Sequence, residues 1–186
     1  MVIKNAKAFI NGEFRENTDI VISEGKVAAI GQGLMVEGSE TIDLKGDLLL
    51  PGFVDVHIHA FMGQDTMNGE EAVRRFRQQG VLSEAQLKKF GVAAFLPTTM
   101  SASPEDTQAA LKGIKAVMDR PEPDGAIVLG AHMEAPFLQE SKAGAQLKQY
   151  FALPDEKNWE AYAGPYASIV RMITMAPEKE GALDFI

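Results

Sequence analysis

The chain contains no cysteine and only three histidines among its 186 residues. The absence of cysteine excludes disulfide bonds, thiolate nucleophiles and cysteine-ligated zinc. A bound metal would therefore be held by histidine and carboxylate side chains. Each histidine is informative, because the chain offers only three imidazole ligands beside its many carboxylates.

Basic charge and long apolar runs are also scarce. The chain has 18 Lys and Arg against 26 Asp and Glu, a formal net charge of −8 at pH 7. This balance argues against nucleic-acid and anionic-membrane partners, since both are bound through clustered Lys and Arg. No stretch approaches about 18 uncharged apolar residues, and the N-terminus lacks the features of a signal peptide. We expect a cytoplasmic protein with a small-molecule substrate, no nucleic acid and no membrane.

Common nucleotide and nucleophile motifs are missing. Gly31 and Gly33 hint at a dinucleotide-binding loop, but Val36 stands where the fingerprint needs its third glycine. The sequence also has no Walker motif and no Gly-x-Ser-x-Gly elbow. It therefore does not indicate a dinucleotide-binding or serine-nucleophile enzyme.

Residues 1–50 are predicted to be a first domain, a small antiparallel sheet. Short apolar alternations at 7–10, 19–23 and 26–30 are separated by Asn11-Gly12 and Glu24-Gly25. These pairs fit hairpin turns, where glycine supplies a positive φ without a Cβ clash.

From residue 51 onward, predicted strands alternate with predicted helices. The strands are 53–59, 92–98, 126–134 and 169–174, and the helices are 83–90, 103–120 and 155–163. This alternation implies right-handed βαβ units and a parallel sheet, so the fold class is α/β. Four such units are half of a (β/α)8 TIM-like barrel, which takes about 250 residues. Residues 51–186 are therefore predicted to be the first half of a barrel, truncated at the C-terminus.

Two of the three histidines end the first barrel strand. Alternate side chains of a strand share a face, so Asp55, His57 and His59 are expected to point the same way. The Cβ atoms of the two histidines would be about 6.6 Å apart, and both rings can lean onto one ion. The pair predicts a metal site at the end of the strand where barrels carry their active sites.

The third strand carries the remaining histidine. Alternation places Ala126, Val128, Gly130, His132 and Glu134 on one face and leaves the other face for helices. Glu134 is thus a third candidate ligand. Asp55 and His132 are predicted to hold the ligands in place without binding the metal themselves. The alternatives are a buried structural role for His132, and a capping or ion-pair role for Glu134.

Five segments resemble the amidohydrolase superfamily. They are residues 50–59, 96–99, 130–137, 142–146 and 174–178. The first is general to the superfamily, whereas the segment 130–137 and the Gly144-Ala145-Gln146 loop are closer to its amino-sugar-phosphate deacetylases.

This resemblance implies both a fold and an activity. The N-terminal strands would form a β-sandwich beside the barrel, and the enzyme would hydrolyse the acetamide of an amino-sugar phosphate in amino-sugar catabolism. Glu134 would be a principal ligand of a divalent metal, zinc or iron, and His57 and His59 would complete a second position in members with two ions. Ala145 and Gln146 would contact the sugar, and the protein would be a homodimer.

Other expectations qualify the resemblance. The general acid-base aspartate of the family would lie beyond Ile186, so no catalytic residue is assigned and the 186-residue chain alone is expected to be inactive. Where the family usually has Glu-Gly-Pro, this chain has Glu134-Ala135-Pro136, with less backbone freedom. The alternatives are a cyclic-amide hydrolase such as a dihydroorotase or hydantoinase, which commonly bridges its metals with a carboxylated lysine, and a non-catalytic metal-binding fragment.

Overall fold

The computed structural model describes residues 1–61, 63–71, 73, 91–120 and 125–186. These residues form two compact units, Met1–Pro51 and Gly52–Ile186. Parallel sheets and a few helices make the fold mixed α/β, so the α/β class is confirmed. The predicted helix at 83–90 lies outside the described residues. No helix in the described ranges is long and apolar enough to cross a membrane.

The first unit is a five-stranded sheet. Its strands are β1 (Val2–Ile10), β2 (Glu13–Ser23), β3 (Lys26–Gly31), β4 (Thr41–Asp43) and β5 (Leu48–Leu49). β1 pairs antiparallel with β2 and β2 with β3, whereas β4 and β5 both pair parallel with β1. The sheet is therefore mixed and not purely antiparallel as predicted, because the chain after β3 crosses back and re-enters alongside β1 in the same direction.

Both predicted hairpin turns are present in this sheet. Asn11 and Gly12 have φ of 53° and 86°, and Glu24 and Gly25 have φ of 51° and 71°. Positive φ at both central residues is the type I′ geometry, whose twist matches that of the flanking strands. The non-glycine residues Asn11 and Glu24 thus also adopt the left-handed conformation.

Asp19 on β2 is a buried carboxylate that holds two backbone segments in place. One of its oxygens accepts the N–H of Asn5 at 3.0 Å, beside a bulge in β1, and the other accepts the N–H of Leu34 at 2.9 Å, after β3. Lys4 Nζ lies 3.9 Å from the same carboxylate. The Asn5 hydrogen bond is the main cause that lowers the pKa of Asp19 below its usual 3.8, against the opposing effect of burial.

Asp19→Asn is expected to destabilise this protein by about 1–3 kcal/mol at pH 7, since an amide offers one acceptor where the carboxylate satisfies two N–H groups. Because the pKa of Asp19 is lowered on folding, its contribution is present above the unfolded-state pKa and is lost as pH falls through the folded-state pKa. Urea titrations from pH 7 to pH 3 should show the variant and the wild type converging at acid pH. The exposed Asp47→Asn is the charge-matched control, and an equal loss there would contradict the prediction.

The second unit alternates parallel strands with helices. Its strands are β6 (Phe53–Ile58), β7 (Ala60–Phe61), β8 (Gln64–Asp65), β9 (Val92–Pro97), β10 (Ile127–Val128), β11 (Ala131–Glu134) and β12 (Val170–Thr174). Within the described ranges its α-helices are α1 (Pro104–Met118), α2 (Glu156–Ala163) and α3 (Ala182–Phe185), and 3-10 turns cover Thr66–Asn68, Glu140–Lys142, Lys148–Tyr150 and Gly164–Ile169.

The parallel strands lie side by side in chain order. β6, β9 and β10 form one parallel sheet, and β11 pairs parallel with β12. A parallel bridge between Thr98 and His132 joins the two sheets. Since neighbouring parallel strands run in the same direction, the C-terminal ends of β6, β9 and β11 meet at one edge.

The helices begin where the sequence predicted, because their caps are present. Ser103 accepts the N–H of Asp106 at the start of α1, and Asp155 accepts the N–H of Asn158 at the start of α2. The buried face of α1, with Leu111 and Ile114, packs in one core with strand residues such as Phe95. This core holds the strands whose ends carry the histidines.

The third predicted strand is broken at Gly130. Residues 126–134 form β10 and β11, and Gly130 between them has φ of 155°. An added Cβ there would lie 2.5 Å from the carbonyl oxygen of Ile169, so the position requires glycine. The break also inverts the alternation: Val128 before it and Met133 after it lie in the same core, while Ile127 is 62% exposed. The prediction of one continuous face from Ala126 to Glu134 is therefore wrong, although His132 and Glu134 keep the same parity within β11.

Candidate metal centre

Three ionisable side chains converge at the C-terminal edge of the parallel strands. They are His57 and His59 from the end of β6 and Glu134 from the end of β11, with one ligand atom from each lying within 4.8 Å of the others. The two Nε2 atoms of the histidines are 3.0 Å apart. Oε2 of Glu134 lies 2.7 Å from Nε2 of His59 and 3.6 Å from Nε2 of His57.

The local backbone of β6 places the two histidines. The pairing of β6 with β9 is irregular between Asp55 and Ile58, where the strand departs from simple alternation. Asp55 Oδ1 accepts the backbone N–H of His57 at 3.0 Å. The Asp55 side chain thus braces the main chain at His57 and is not one of the converging groups, consistent with the supporting position expected of it.

The carbonyl of Thr98 orients His59. Its oxygen lies 3.1 Å from Nδ1 of His59, and a carbonyl can only accept, so Nδ1 carries the proton. In the neutral ring this leaves Nε2 with a lone pair directed at the converging point. Thr98 is itself held to β6, since its N–H donates to the carbonyl of Ile58 and its hydroxyl accepts the Ile58 N–H. A backbone partner on the far ring nitrogen is the usual support for a metal-binding histidine.

Glu134 contributes a buried oxygen without a hydrogen-bond donor. Oε2 has no hydrogen-bond partner among the described residues, although Nε2 of His59 is 2.7 Å away. With Nδ1 of His59 protonated, both facing atoms are acceptors, which is unfavourable unless a cation lies between them. Two donors on a tetrahedral ion at about 2.0–2.1 Å would stand about 3.3 Å apart. The observed separations of 2.7, 3.0 and 3.6 Å bracket that distance, so the three residues fit a divalent metal.

His132 lies behind this cluster. The ring is only 2% exposed, and burial lowers the pKa of His132, so the neutral form is favoured. Nδ1 donates to the carbonyl of Val56 at 2.9 Å, and Nε2 accepts from the hydroxyl of Thr174 at 2.7 Å. With both nitrogens engaged, His132 connects β6, β11 and β12, and its ring contacts that of His57 edge-on at a centroid distance of 4.9 Å.

Ala145 and Gln146 lie in the loop between two 3-10 turns, outside the His-His-Glu cluster. Ala145 is exposed and Gln146 half-buried. The Gln146 side chain accepts the backbone N–H of Ser101 at 2.7 Å and approaches Met100 Sδ at 3.7 Å. The loop is therefore attached to the segment that follows β9, three residues from the carbonyl that orients His59.

The sequence analysis missed two residues that organise this region. Thr174 lies in a segment that resembles the superfamily, but nothing in its spacing indicated a hydrogen bond to His132. Ser101 carried no signal, because its partners are 45 and 46 residues away in the chain. Such contacts depend on how neighbouring strands end, which local patterns do not encode.

Ala135, next to Glu134, adopts a backbone conformation that favours glycine. Its φ is 88°, and the residue is buried. A side chain with Cβ costs about 1–2 kcal/mol in the left-handed region. We therefore expect Ala135→Gly to raise the free energy of unfolding by about 1 kcal/mol in a urea titration. Ala143, with φ of −58°, is the control, since Ala143→Gly should destabilise, and a loss of stability in both variants would contradict the prediction.

The fold and the cluster define a class: a mixed α/β protein with structural neighbours in the amidohydrolase family. The particular relatives are N-acetylglucosamine-6-phosphate deacetylases. That of Lysinibacillus sphaericus is 32% identical over 187 residues, covering 98% of this chain and 46% of the relative, and that of Bacillus subtilis is 30% identical over 193 residues, covering 100% and 46%. The resemblance inferred from the sequence is thus confirmed. The chain spans about half the length of these relatives.

Solved structures give the same result. The deacetylase from Thermotoga maritima matches with a TM-score of 0.70 at 28% identity, covering 98% of this chain and 44% of that one. The deacetylase from Mycobacterium smegmatis matches in fold with a TM-score of 0.78 at 24% identity, covering 99% and 49%. An N-acetylgalactosamine-6-phosphate deacetylase of Escherichia coli O157:H7 is also similar, 32% identical over 167 residues, covering 89% of this chain and 41% of the relative. No family model matches the chain.

Proposed function

We propose that the protein hydrolyses the acetamide of N-acetylglucosamine 6-phosphate, giving glucosamine 6-phosphate and acetate in amino-sugar catabolism. The observation that carries this proposal is the convergence of His57, His59 and Glu134 at one strand edge, in a chain similar over nearly its whole length to deacetylases of that name. The cluster supplies the chemistry, and the relatives indicate the substrate.

We also infer the finer architecture. Four parallel strands follow one another along the chain: β6, β9, the broken strand made of β10 and β11, and β12. Helix α1 lies between β9 and β10, and α2 precedes β12. This alternation supports the first four units of a (β/α)8 barrel. The sheet of residues 1–50 would contribute strands to a β-sandwich. The barrel interpretation explains why the cluster lies at the C-terminal ends of the strands, since active sites of this fold are built there.

His57, His59 and Glu134 would hold one divalent ion or part of a two-ion site, with zinc or iron suited to this nitrogen and oxygen donor set. When bound, such an ion lowers the pKa of its water toward about 7 and polarises a carbonyl oxygen. The protein supports this arrangement through Thr98, which fixes the tautomer of His59, and through Asp55, which braces the main chain at His57. Ala145 and Gln146 would contact the sugar from the adjacent loop.

The test is release of acetate from N-acetylglucosamine 6-phosphate, using the protein as encoded, with any residues that continue beyond Ile186. We expect release in the presence of Zn²⁺ or Fe²⁺ and its loss after treatment with a chelator, with recovery when metal is restored. A metal-only blank is the control. Absence of acetate release by a folded, metal-loaded protein would overturn the proposal.

A second candidate substrate is N-acetylgalactosamine 6-phosphate, because one relative carries that name and matches 89% of the chain. The two sugars differ only in the configuration of one hydroxyl group, so kcat/KM for both should be measured in the same assay. Hydrolysis of dihydroorotate or a hydantoin in place of either sugar would instead favour a cyclic-amide hydrolase. Metal binding without any hydrolysis would favour a non-catalytic fragment.

The homodimer and the cytoplasmic location belong to the same proposal. Sedimentation of the purified protein tests the first, and fractionation of cells tests the second.

A further inference from the structure

We propose that Ser101 is a positioning residue for the loop of residues 145–147: its backbone N–H turns the NH₂ group of Gln146 toward a bound ligand, and its hydroxyl holds the main chain at Leu147. This inference rests on the proposed function, in which the loop with Ala145 and Gln146 contacts the sugar. It adds a residue that neither the sequence patterns nor the cluster indicated, and it states which kind of ligand atom Gln146 recognises.

Ser101 makes two hydrogen bonds to the loop. Its backbone N–H donates to Oε1 of Gln146 at 2.7 Å, and its hydroxyl oxygen accepts the backbone N–H of Leu147. Ser101 is only 7% exposed, so both bonds are shielded from water and loss of either leaves a buried group unpaired. The two contacts hold consecutive residues of the loop, one through its side chain and the other through its main chain.

The first of these bonds determines which end of the Gln146 amide is available. A backbone N–H can only donate, so the atom that faces Ser101 must be the amide oxygen. The amide nitrogen then points away, toward Met100 Sδ at 3.7 Å, and a thioether is a weak acceptor. The amide oxygen has two lone pairs and uses one of them for the Ser101 N–H, so the end of the side chain that points away from Ser101 is the NH₂ group. A ligand atom that contacts this NH₂ group should therefore be an acceptor oxygen of a sugar or phosphate.

The same short segment connects this loop to the metal cluster. Thr98 holds His59 through its carbonyl, the Thr99 N–H donates to the carbonyl of His132, and Ser101 holds the loop. The segment from Thr98 to Ser101 follows β9 directly and is almost fully buried, so it has little freedom to move. Displacement of the loop relative to the cluster is thereby restricted, which is how a site sets the distance between a metal-bound group and a bound substrate.

The first test is Ser101→Ala in the protein as encoded, compared with Ser103→Ala. Ser103 caps α1 two residues later, where its hydroxyl pairs with Asp106, so it reports the structural cost of the same change away from the loop. Ser101→Ala keeps the backbone N–H that contacts Gln146 and removes the hydroxyl that accepts the Leu147 N–H, so it frees the main chain next to Gln146. We expect it to raise KM for N-acetylglucosamine 6-phosphate about tenfold with kcat changed less than about twofold, and to accelerate hydrogen exchange at the Leu147 amide. Ser103→Ala should change neither. Unchanged KM and unchanged Leu147 exchange in a folded Ser101→Ala protein would overturn the proposal.

The second test addresses the donor directly and does not depend on Ser101→Ala folding. Gln146→Glu keeps an acceptor for the Ser101 N–H but removes both side-chain donors, so KM should rise at least about tenfold. Gln149→Glu makes the same charge change at an exposed position of the next turn and should alter KM less than about twofold. An equal effect of the two variants, or none from Gln146→Glu, would show that Gln146 does not donate to the substrate.

These outcomes separate this inference from the proposed function. If the wild-type protein hydrolyses neither amino-sugar phosphate, the proposed function fails, and hydrogen exchange at Leu147 in Ser101→Ala still decides whether Ser101 holds the loop. If the wild type is active and both variants behave like their controls, the proposed function stands and the positioning role of Ser101 is rejected.

Discussion

Glu134→Gln is expected to abolish metal binding and to lower kcat/KM for acetate release by about 10³-fold or more, since a catalytic metal contributes several kcal/mol to the transition state. The carboxylate supplies the only negative charge in the cluster of His57, His59 and Glu134. Replacing it with a neutral amide of the same shape removes that charge but leaves packing unchanged. The amide can also donate to Nε2 of His59, which would tie up the lone pair directed at the metal.

The metal-free stability distinguishes this explanation from misfolding. In the absence of metal, Oε2 of Glu134 has no hydrogen-bond partner among the described residues and faces an acceptor, so Glu134→Gln should not lower the unfolding free energy and should raise it slightly. The measurements are metal content by elemental analysis, acetate release, and urea unfolding in a chelator. Glu140→Gln, an exposed position six residues later, is the charge-matched control and should keep its metal. Retention of metal by Glu134→Gln would show that the carboxylate is not a ligand.

The candidate metal ligands at the strand ends were predictable because their spacing depends only on local strand geometry. His57 and His59 are two residues apart on a strand, and Glu134 is two residues after the third histidine, so each pair needs only the geometry of one strand. That the two strands would meet followed from the alternation of strands and helices, which requires a parallel sheet. Caps were predictable for the same reason, since Ser103 and Asp155 act on residues three positions away.

The predictions that were wrong depended on which distant segments pair with each other. The break at Gly130 arises because β10 pairs with β9 whereas β11 pairs with β12, and the backbone must turn between the two partners. The alternation from Ala126 to Glu134 was a reasonable expectation for one strand and is wrong for two. In the first unit, the return of β4 and β5 beside β1 made the sheet mixed, which no feature of these two- and three-residue strands indicated.

For the residues that support the ligands, the sequence indicated that such contacts exist but not which atoms make them. A candidate ligand such as His59 was expected to have a partner on its second nitrogen, but the partner is a backbone carbonyl, that of Thr98, which has no side-chain signature. Asp55 and His132 were expected to support the ligands, and the structure places one against the main chain of His57 and the other against its ring. Whether these contacts tune metal binding remains a prediction, which the comparison of the three histidines tests.

His57→Ala and His59→Ala are each expected to weaken zinc binding by more than about 10²-fold, beyond the 10–100-fold typical of a supporting residue. The loss should be larger for His59. Its ring is held by the Thr98 carbonyl and its Nε2 is the atom nearest Glu134, whereas the His57 side chain is 46% exposed and has no comparable partner on its other nitrogen among the described contacts. A ligand held in place before the metal arrives loses less freedom on binding, so its removal costs more.

His132→Gln provides the contrast, because it removes the third histidine without removing a converging atom. It should lower the unfolding free energy by about 1–3 kcal/mol, since the Val56 carbonyl or the Thr174 hydroxyl loses a buried partner. Its zinc affinity should fall less than that of either ligand variant. Competition with a chromogenic chelator measures all three affinities, and urea unfolding in a chelator measures the stabilities. If His132→Gln weakens zinc binding more than His57→Ala does, then His132 and not His57 belongs to the set of ligands, and the cluster at the ends of β6 and β11 has been assigned incorrectly.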